Sequence, residues 1–159
     1  SSRPTKANIH PLVLLSIVDH FNRVNITKRD KRVVGALLGK TLIYQGEQVD
    51  NVVEITNSYA VVYEEDPNEP NIWYLDHLYH ETMFDMFKKD SNVESQINAK
   101  ERFVGWYATG GKFKSQDILI NELFRKYNPT PVFIVVDVEH QNEIDLPTEA
   151  YIAQEEIGR

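Results

Sequence analysis

Apolar positions along the chain fall into short continuous runs and helical stripes, which together predict a domain mixing strands and helices. Residues 6–9 can form a short strand. Pro11 suits the first turn of a helix, where its missing N–H costs nothing. Leu12 to Val24 (LVLLSIVDHFNRV) is apolar almost all round, which predicts a helix covered on more than one side. A charged loop follows from Val24 to Lys31. RVVGALLG (32–39) then reads as a buried strand, short and bounded by Gly. Gly46 in YQGEQ marks a hairpin turn, and VVEITNSYAVVY (52–63) supplies one or two further strands. EEDPNEPN (64–71) is an acidic loop broken by Pro.

The second half repeats the mixture. Leu78, Tyr79, Thr82, Met83, Met86 and Phe87 recur at helical spacing, with Asp76 placed as the N-cap. A polar connection (89–101) leads to the strand ERFVGWY (101–107) and the loop ATGGKFK. Ser115 can cap a helix carrying Ile118, Ile120, Leu123, Phe124 and Tyr127, and Asp117 is well placed at its positive end. Pro129 and Pro131 stop that helix. VFIVVDV (132–138) is a second buried strand, and LPTEAYIAQEEI (146–157) predicts an edge strand beginning after Pro147. The expectation is one α/β layer domain with a mixed or mostly antiparallel sheet and three long helices.

Composition narrows the function classes. The 159 residues include no Cys, which removes disulfides, thiolate nucleophiles and Cys-based zinc sites. A formal charge of −7 argues against generic nucleic-acid binding, which needs a basic footprint. No apolar run approaches a membrane span of about 18 residues, and the polar start SSRPTKANIH is not a signal peptide. An intracellular location is therefore expected, and the sequon at Asn25-Ile26-Thr27 is expected to be inert. The ends suggest the N-terminal part of a longer subunit.

Each candidate chemistry has a plain structural alternative. Gly105 to Gly110 looks like half a phosphate loop, but Gly111 stands where the phosphate-binding Lys belongs. Asp76, His77, His80 and Glu81 form a dense cluster whose i,i+4 pairs could hold zinc or could be solvated helix pairs. His10, His20 and His140 are isolated and read as surface or packing residues. No Gly-x-Ser-x-Gly elbow exists. Met83 and Met86, the only methionines, are either core or a contact surface, since Met adapts to irregular interfaces.

Several segments together resemble the MPN domain: HPLVLLSIVDH (10–20), RVVG (32–35), WYLDH (73–77), MFKK (86–89), VGWY (104–107) and LPTEAY (146–151). Within that family the likeness is to the non-catalytic members of the proteasome regulatory-particle lid. It runs from about His10 to Ile157, with 40–51 and 90–98 looking like insertions. The Trp-Tyr-Ala-Thr-Gly string is also similar to the members found in translation initiation factor three, and a signalosome member is a further alternative.

The resemblance implies a single MPN domain over residues 1–159 (core about 6–157), with a cytidine-deaminase-like curved sheet flanked by three main helices. Catalytic members hold zinc with a His-x-His pair and a downstream Asp, and a Glu handles the zinc-bound water. Here the matching positions are Ala108, Gly110 and, aligning on Ile120-Asn121, Leu119. The Glu position is Arg32. Gly111 replaces the usual Pro, whereas lid members often keep a His and a Pro in this loop. Asp117, two places away on the helix, is expected to point elsewhere. The resemblance thus implies a pseudoenzyme with no cofactor and no hydrolase activity, working in cytoplasm and nucleus. Its implied partners are the catalytic MPN (JAMM) subunit, in a heterodimer, and other lid subunits. In isolation, pairing with a second copy of itself would stand in for the absent partner. Leu78, Thr82, Met83 and Met86, helped by Leu15, Val18 and Asp19, are the expected contact. A zinc isopeptidase using Asp76, His77 and His80 is the opposing expectation.

Overall fold

The computed structural model describes residues 4, 6–28, 30–45, 49–91, 101–140 and 148–152. Its main sheet has the strand order β1-β3-β2-β6-β7-β8, built from β1 (Lys6–Ile9), β2 (Val34–Gln45), β3 (Val49–Val61), β6 (Arg102–Thr109), β7 (Val132–Val136) and β8 (Thr148–Ile152). β1 runs parallel to β3 and β6 parallel to β7, while the remaining neighbours are antiparallel, so the sheet is mixed as expected. A small hairpin of β4 (Tyr63–Glu65) and β5 (Trp73–Leu75) lies apart from it. The helices are α1 (Pro11–Asn25), α2 (His77–Ser91) and α3 (Asp117–Phe124). Only the first two are long. Gln45 pairs with Val49, so the hairpin around Gly46 forms, its turn lying outside the described residues. Most of the proposed insertion at 90–98 also lies outside them.

Strand alternation divides the core into two faces. Val33, Leu37, Val53, Ile55, Tyr107, Ile134 and Val136 point one way and meet Val13 and Ile17 of α1. Val34, Ala36, Leu38, Trp106, Phe133 and Val135 point the other way and meet Ile120 and Phe124 of α3. Two skips in pairing interrupt the alternation: Thr56 of β3 and Val104 of β6 have no opposite residue on β2. Such bulges increase local twist. On the second face Trp106 stacks on Phe133 (3.8 Å, 9°), and its indole N–H donates to Asn121 Oδ1 at 2.8 Å.

Three local expectations need correcting. α1 is covered on one side only: Val13, Ile17 and His20 are buried, but Leu12 and Leu15 are exposed. The stripe on α2 is not the core stripe, since the buried residue there is His80. Ser115 does not cap α3 with its side chain; Gln116 is the N-cap residue, and no side-chain cap bond forms. Asp76 does cap α2, accepting from Tyr79 N at 3.2 Å. β8 is the edge strand the sequence predicts.

The histidines show how far packing overrides the sequence pattern. Gly35 has no side chain because the Tyr107 ring fills that space; a Cβ there would lie 2.3 Å from the ring. Tyr107 Oη thereby reaches the buried His20 Nδ1 at 2.6 Å. His80 is enclosed by Phe103, Phe124 and Tyr127, with ring centroids 4.8, 5.0 and 4.3 Å away. Its Nδ1 meets Tyr59 Oη at 2.6 Å, and its Nε2 has no hydrogen-bond partner. Burial lowers both imidazoles to about 4; at His20 the Arg23 charge adds to this and Asp19 opposes it.

Candidate functional site

The end of β6 meets the start of β2 at the positions that the resemblance assigns to a metal site, Arg32, Ala108 and Gly110. Thr109 N donates to Val33 O at 3.1 Å, and Val33 N donates to Thr109 Oγ1 at 3.0 Å. Gly110 follows with φ 143°, a conformation that favours glycine, and its N–H donates to Val136 O at 2.9 Å. This register brings Arg32, the residue before Val33, to the Thr109–Gly110 end of β6, opposite the start of α3.

Arg32 is 7 % exposed and spends its donors inside the protein. Nη2 donates to Asp117 Oδ1 at 2.7 Å and to Tyr63 Oη at 3.1 Å. Nε donates to both oxygens of Glu65, at 2.9 and 3.0 Å. The carboxylates have further partners. Lys114 N donates to Asp117 Oδ2 at 2.9 Å, Gln116 Nε2 donates to Glu65 Oε1 at 3.1 Å, and the Tyr63 hydroxyl donates to Glu65. Lys114 Nζ lies 3.5 Å from Glu65 Oε2. Two carboxylates thus meet two cations, and both oxygens of each are occupied.

The electrostatics follow. Burial alone would make Arg32 easier to deprotonate, but the hydrogen bond and charge of Asp117 outweigh it and raise the pKa. Burial likewise opposes ionisation of Glu65. The Tyr63 hydrogen bond and the Arg32 and Lys114 charges overcome it and hold the carboxyl below its ordinary range. For Tyr63, burial and Glu65 prevail and raise the phenol.

This donor set does not fit a divalent metal. Ala108 and Gly110 offer no side-chain donor atom, and Leu119 is 54 % exposed, turned out from the cluster. Asp117 corrects the expectation that it points away: it is fully buried and faces Arg32. Helical geometry explains the difference, because residues two apart lie on nearly opposite faces. A carboxylate therefore does face this position, but a guanidinium already holds it. Nor do Asp76, His77 and His80 converge: Asp76 caps α2, His77 is exposed and His80 is enclosed by rings. Among the described residues, no group of three His, Asp or Glu is arranged to hold a metal.

The outward sides of α1 and α2, which pack on different faces of the sheet, have the opposite character. Leu12 and Leu15 on α1, and Leu78, Tyr79 and Met86 on α2, are 44–74 % exposed. Thr82 is exposed beside them, Met83 is half-buried, and Asp19 pairs with Arg23 at 2.9 Å on the outer side of α1. Val18 is half-buried against the α1 core. Leu15, Asp19, Leu78, Thr82 and Met86 therefore stand on outward faces, while Val18 and Met83 lie at their margins. Sequence reasoning missed Leu12 here, and Tyr63, Glu65 and Gln116 in the Arg32 cluster. The only signal for Glu65 was its place two residues after a strand-forming Tyr, on the same side of that strand.

Comparison with known proteins bears on both regions. Residues 2–130 match the family described as JAB1/Mov34/MPN/PAD-1 ubiquitin protease. The chain is 48 % identical over all 159 residues to the 26S proteasome non-ATPase regulatory subunit 7 of Dictyostelium discoideum. It is 49 % identical over 152 residues, 96 % of its length, to the subunit 7 homolog B of Arabidopsis thaliana. A subunit of eukaryotic translation initiation factor 3 from Arabidopsis thaliana is more distant, at 34 % over 86 % of the chain. The matches cover 44, 44 and 40 % of these relatives, so the chain spans about two fifths of their length. By its sequence match and its mixed sheet with three helices, the chain belongs to the JAB1/Mov34/MPN/PAD-1 family.

Proposed function

We propose that this chain is the MPN domain of a non-catalytic subunit of the 26S proteasome regulatory lid, present with the proteasome in cytoplasm and nucleus. Its task is to hold a catalytic MPN subunit, and other lid subunits, in place. The observation that carries the reading is the Arg32 cluster. A hydrolytic metal needs an open coordination position and lone pairs to hold it. Here a fixed guanidinium bonds Glu65 through both oxygens and Asp117 through one, the other Asp117 oxygen takes Lys114 N, and Ala108 and Gly110 offer no side-chain donor atom. The family description names a protease, but this chain lacks the donor atoms for that chemistry.

The working surface is then the outward side of α2 (Leu78, Thr82, Met83, Met86), with Leu15, Val18 and Asp19 of α1 helping on another face. Exposed apolar side chains grouped on helices are what a partner helix covers. Identities of 48 and 49 % to proteasome subunits, against 34 % to the initiation-factor subunit, favour the proteasome over the alternative complex.

Met86→Asp tests the surface, because Met86 is 56 % exposed and its replacement leaves the core intact. Co-expressed with the catalytic lid subunit, the variant should lose co-purification by at least tenfold while keeping its circular dichroism spectrum. Unchanged co-purification of both Met86→Asp and Leu78→Asp would remove α2 from the interface. In isolation the same variants should abolish any self-association.

A further inference from the structure

The outer edge of β3 is paired only in part. β1 covers Val52 to Ile55 and ends when His10 N donates to Ile55 O at 3.0 Å and Pro11 turns the chain into α1. From Ser58 to Val61 no strand lies on that side among the described residues. Register shows which backbone groups face it. The groups of Val33 point to β6, because they bond Thr109. By alternation those of Gly35 do too, so the pair Gly35–Ala60 exchanges no hydrogen bond and the N–H and C=O of Ala60 face outward. Two observations agree. Val62 O, two residues on, accepts from Asp76 N at 2.9 Å, away from β2. Ser58 N, two residues before, takes its own neighbour's Asn57 Oδ1 at 2.8 Å.

A groove follows this edge. One part, about 610 Å³, runs between Leu12, Leu15 and Asp19 of α1 and residues 58–60 of β3. The next, about 490 Å³, continues past Val24 and residues 60–64 to Lys28 and Lys31, with Tyr79 of α2 on its rim. His20, Arg23 and Ala60 line both parts. The first part mixes Leu12 and Leu15 with Ser16, Asp19 and Arg23, whereas the second has the more apolar walls, with Val24, Val61 and Val62. The far end is cationic: Lys28 Nζ lies 3.4 Å from Glu64 Oε1, and Lys31 Nζ bonds the other oxygen of the same carboxylate. Two ammonium groups therefore share one anion, leaving a positive charge uncompensated. Burial and then neighbouring Lys28 make the Lys31 ammonium easier to deprotonate. Five of the 17 Lys and Arg fall between residues 23 and 32, in a chain of net charge −7.

We propose that this groove docks an extended acidic segment of a partner protein, which adds to β3 as a strand at Ala60 and sets a carboxylate against the exposed Lys28 ammonium. Backbone pairing to an open edge supplies affinity in such complexes, and side-chain pockets supply selectivity. Leu12 and Leu15 at one end, and Val24 and Val62 further along, take alternate aliphatic side chains of that segment, and the lysines set its polarity. The site does not depend on Leu78, Thr82 and Met86 of α2, but it shares Leu15 and Asp19 with the α1 contact proposed above.

The test is a displayed library of ten-residue peptides with random sequence, panned on the 159-residue chain. The strongest binder is then measured by fluorescence anisotropy and by amide hydrogen exchange of the chain. The enriched peptides should alternate aliphatic residues and end in Asp or Glu. Lys28→Glu, an exposed change, should weaken the binder at least tenfold. Replacing the peptide's acids with Lys should also weaken binding at least tenfold. Bound peptide should slow exchange of the Ala60 amide. Absence of enrichment, enrichment without acidic residues, indifference to Lys28→Glu, or an Ala60 amide that exchanges as before would each overturn the proposal.

Discussion

The Arg32 cluster and the outer faces of α1 and α2 reverse the usual placement of polar and apolar groups. At the first, an Arg and an Asp are buried, at 7 and 0 % exposure, and each is held by an oppositely charged partner. At the second, leucines and a methionine stand in water. A buried ion pair adds little net stability over a well-packed apolar core, but it rigidly ties together the elements that supply it. Here those elements are the start of β2, the β4–β5 hairpin and the first turn of α3. The comparison teaches that the Arg32 cluster is an internal fastening, whereas the surfaces proposed for other molecules lie on the helices and on the edge of β3.

The largest expected effects come from breaking the closed region. Arg32→Met leaves Asp117 and Glu65 buried without their cation, and should cost about 3–5 kcal/mol in urea denaturation. Arg32→Met combined with Asp117→Leu should recover part of that loss, because an apolar pair avoids the unpaired charge. If Arg32→Met alone is neutral, the cluster is not the fastening described.

Acid should act next. His20 and His80 stay neutral in the fold, at about 4 against an ordinary 6.5. Between those values the unfolded chain binds protons that the folded chain does not, so stability falls as pH falls. The loss should approach about 2–3 kcal/mol for each His by pH 4. Glu65, held below its ordinary range, contributes stability that is present above that range and is lost on further acidification through its lowered folded value. His80→Phe should flatten the profile between pH 6.5 and 4; a profile as steep as that of the unaltered chain would contradict the assignment.

The open region should be nearly silent in stability. Met86→Asp should shift unfolding by no more than about 0.5 kcal/mol, although it is expected to remove the proposed partner contact. Arg23→Ala, which breaks an exposed pair with Asp19, should be of the same order, within about 0.3–0.5 kcal/mol. A large loss from either would show that these faces belong to the core.

Much of the fold could be read from apolar runs. The buried strands at 34–39 and 132–136, the hairpin at 45–49 and the edge strand after Pro147 follow from period and turn chemistry. Helix faces were harder. Leu12 and Leu15 look like core in one dimension, because hydrophobicity alone does not tell a face covered by its own sheet from one left for another molecule. The same ambiguity hid His80, the buried residue of α2, since a lone polar residue among rings leaves no periodic trace. At the site, the missing donor atoms at Ala108 and Gly110 were plain from the sequence. The bonds from Arg32 to Asp117 and Glu65 were not, because they join residues 85 and 33 positions apart. Aligning on Ile120-Asn121 gave the inward position to Leu119, whereas the helix turns Asp117 inward.

The most direct test of the central claim is the zinc content of the purified chain after incubation with excess zinc and desalting. With Arg32 holding the carboxylates, the account predicts well under about 0.1 zinc per chain, on the order of adventitious binding. About one zinc per chain, lost on Asp117→Asn, would contradict it.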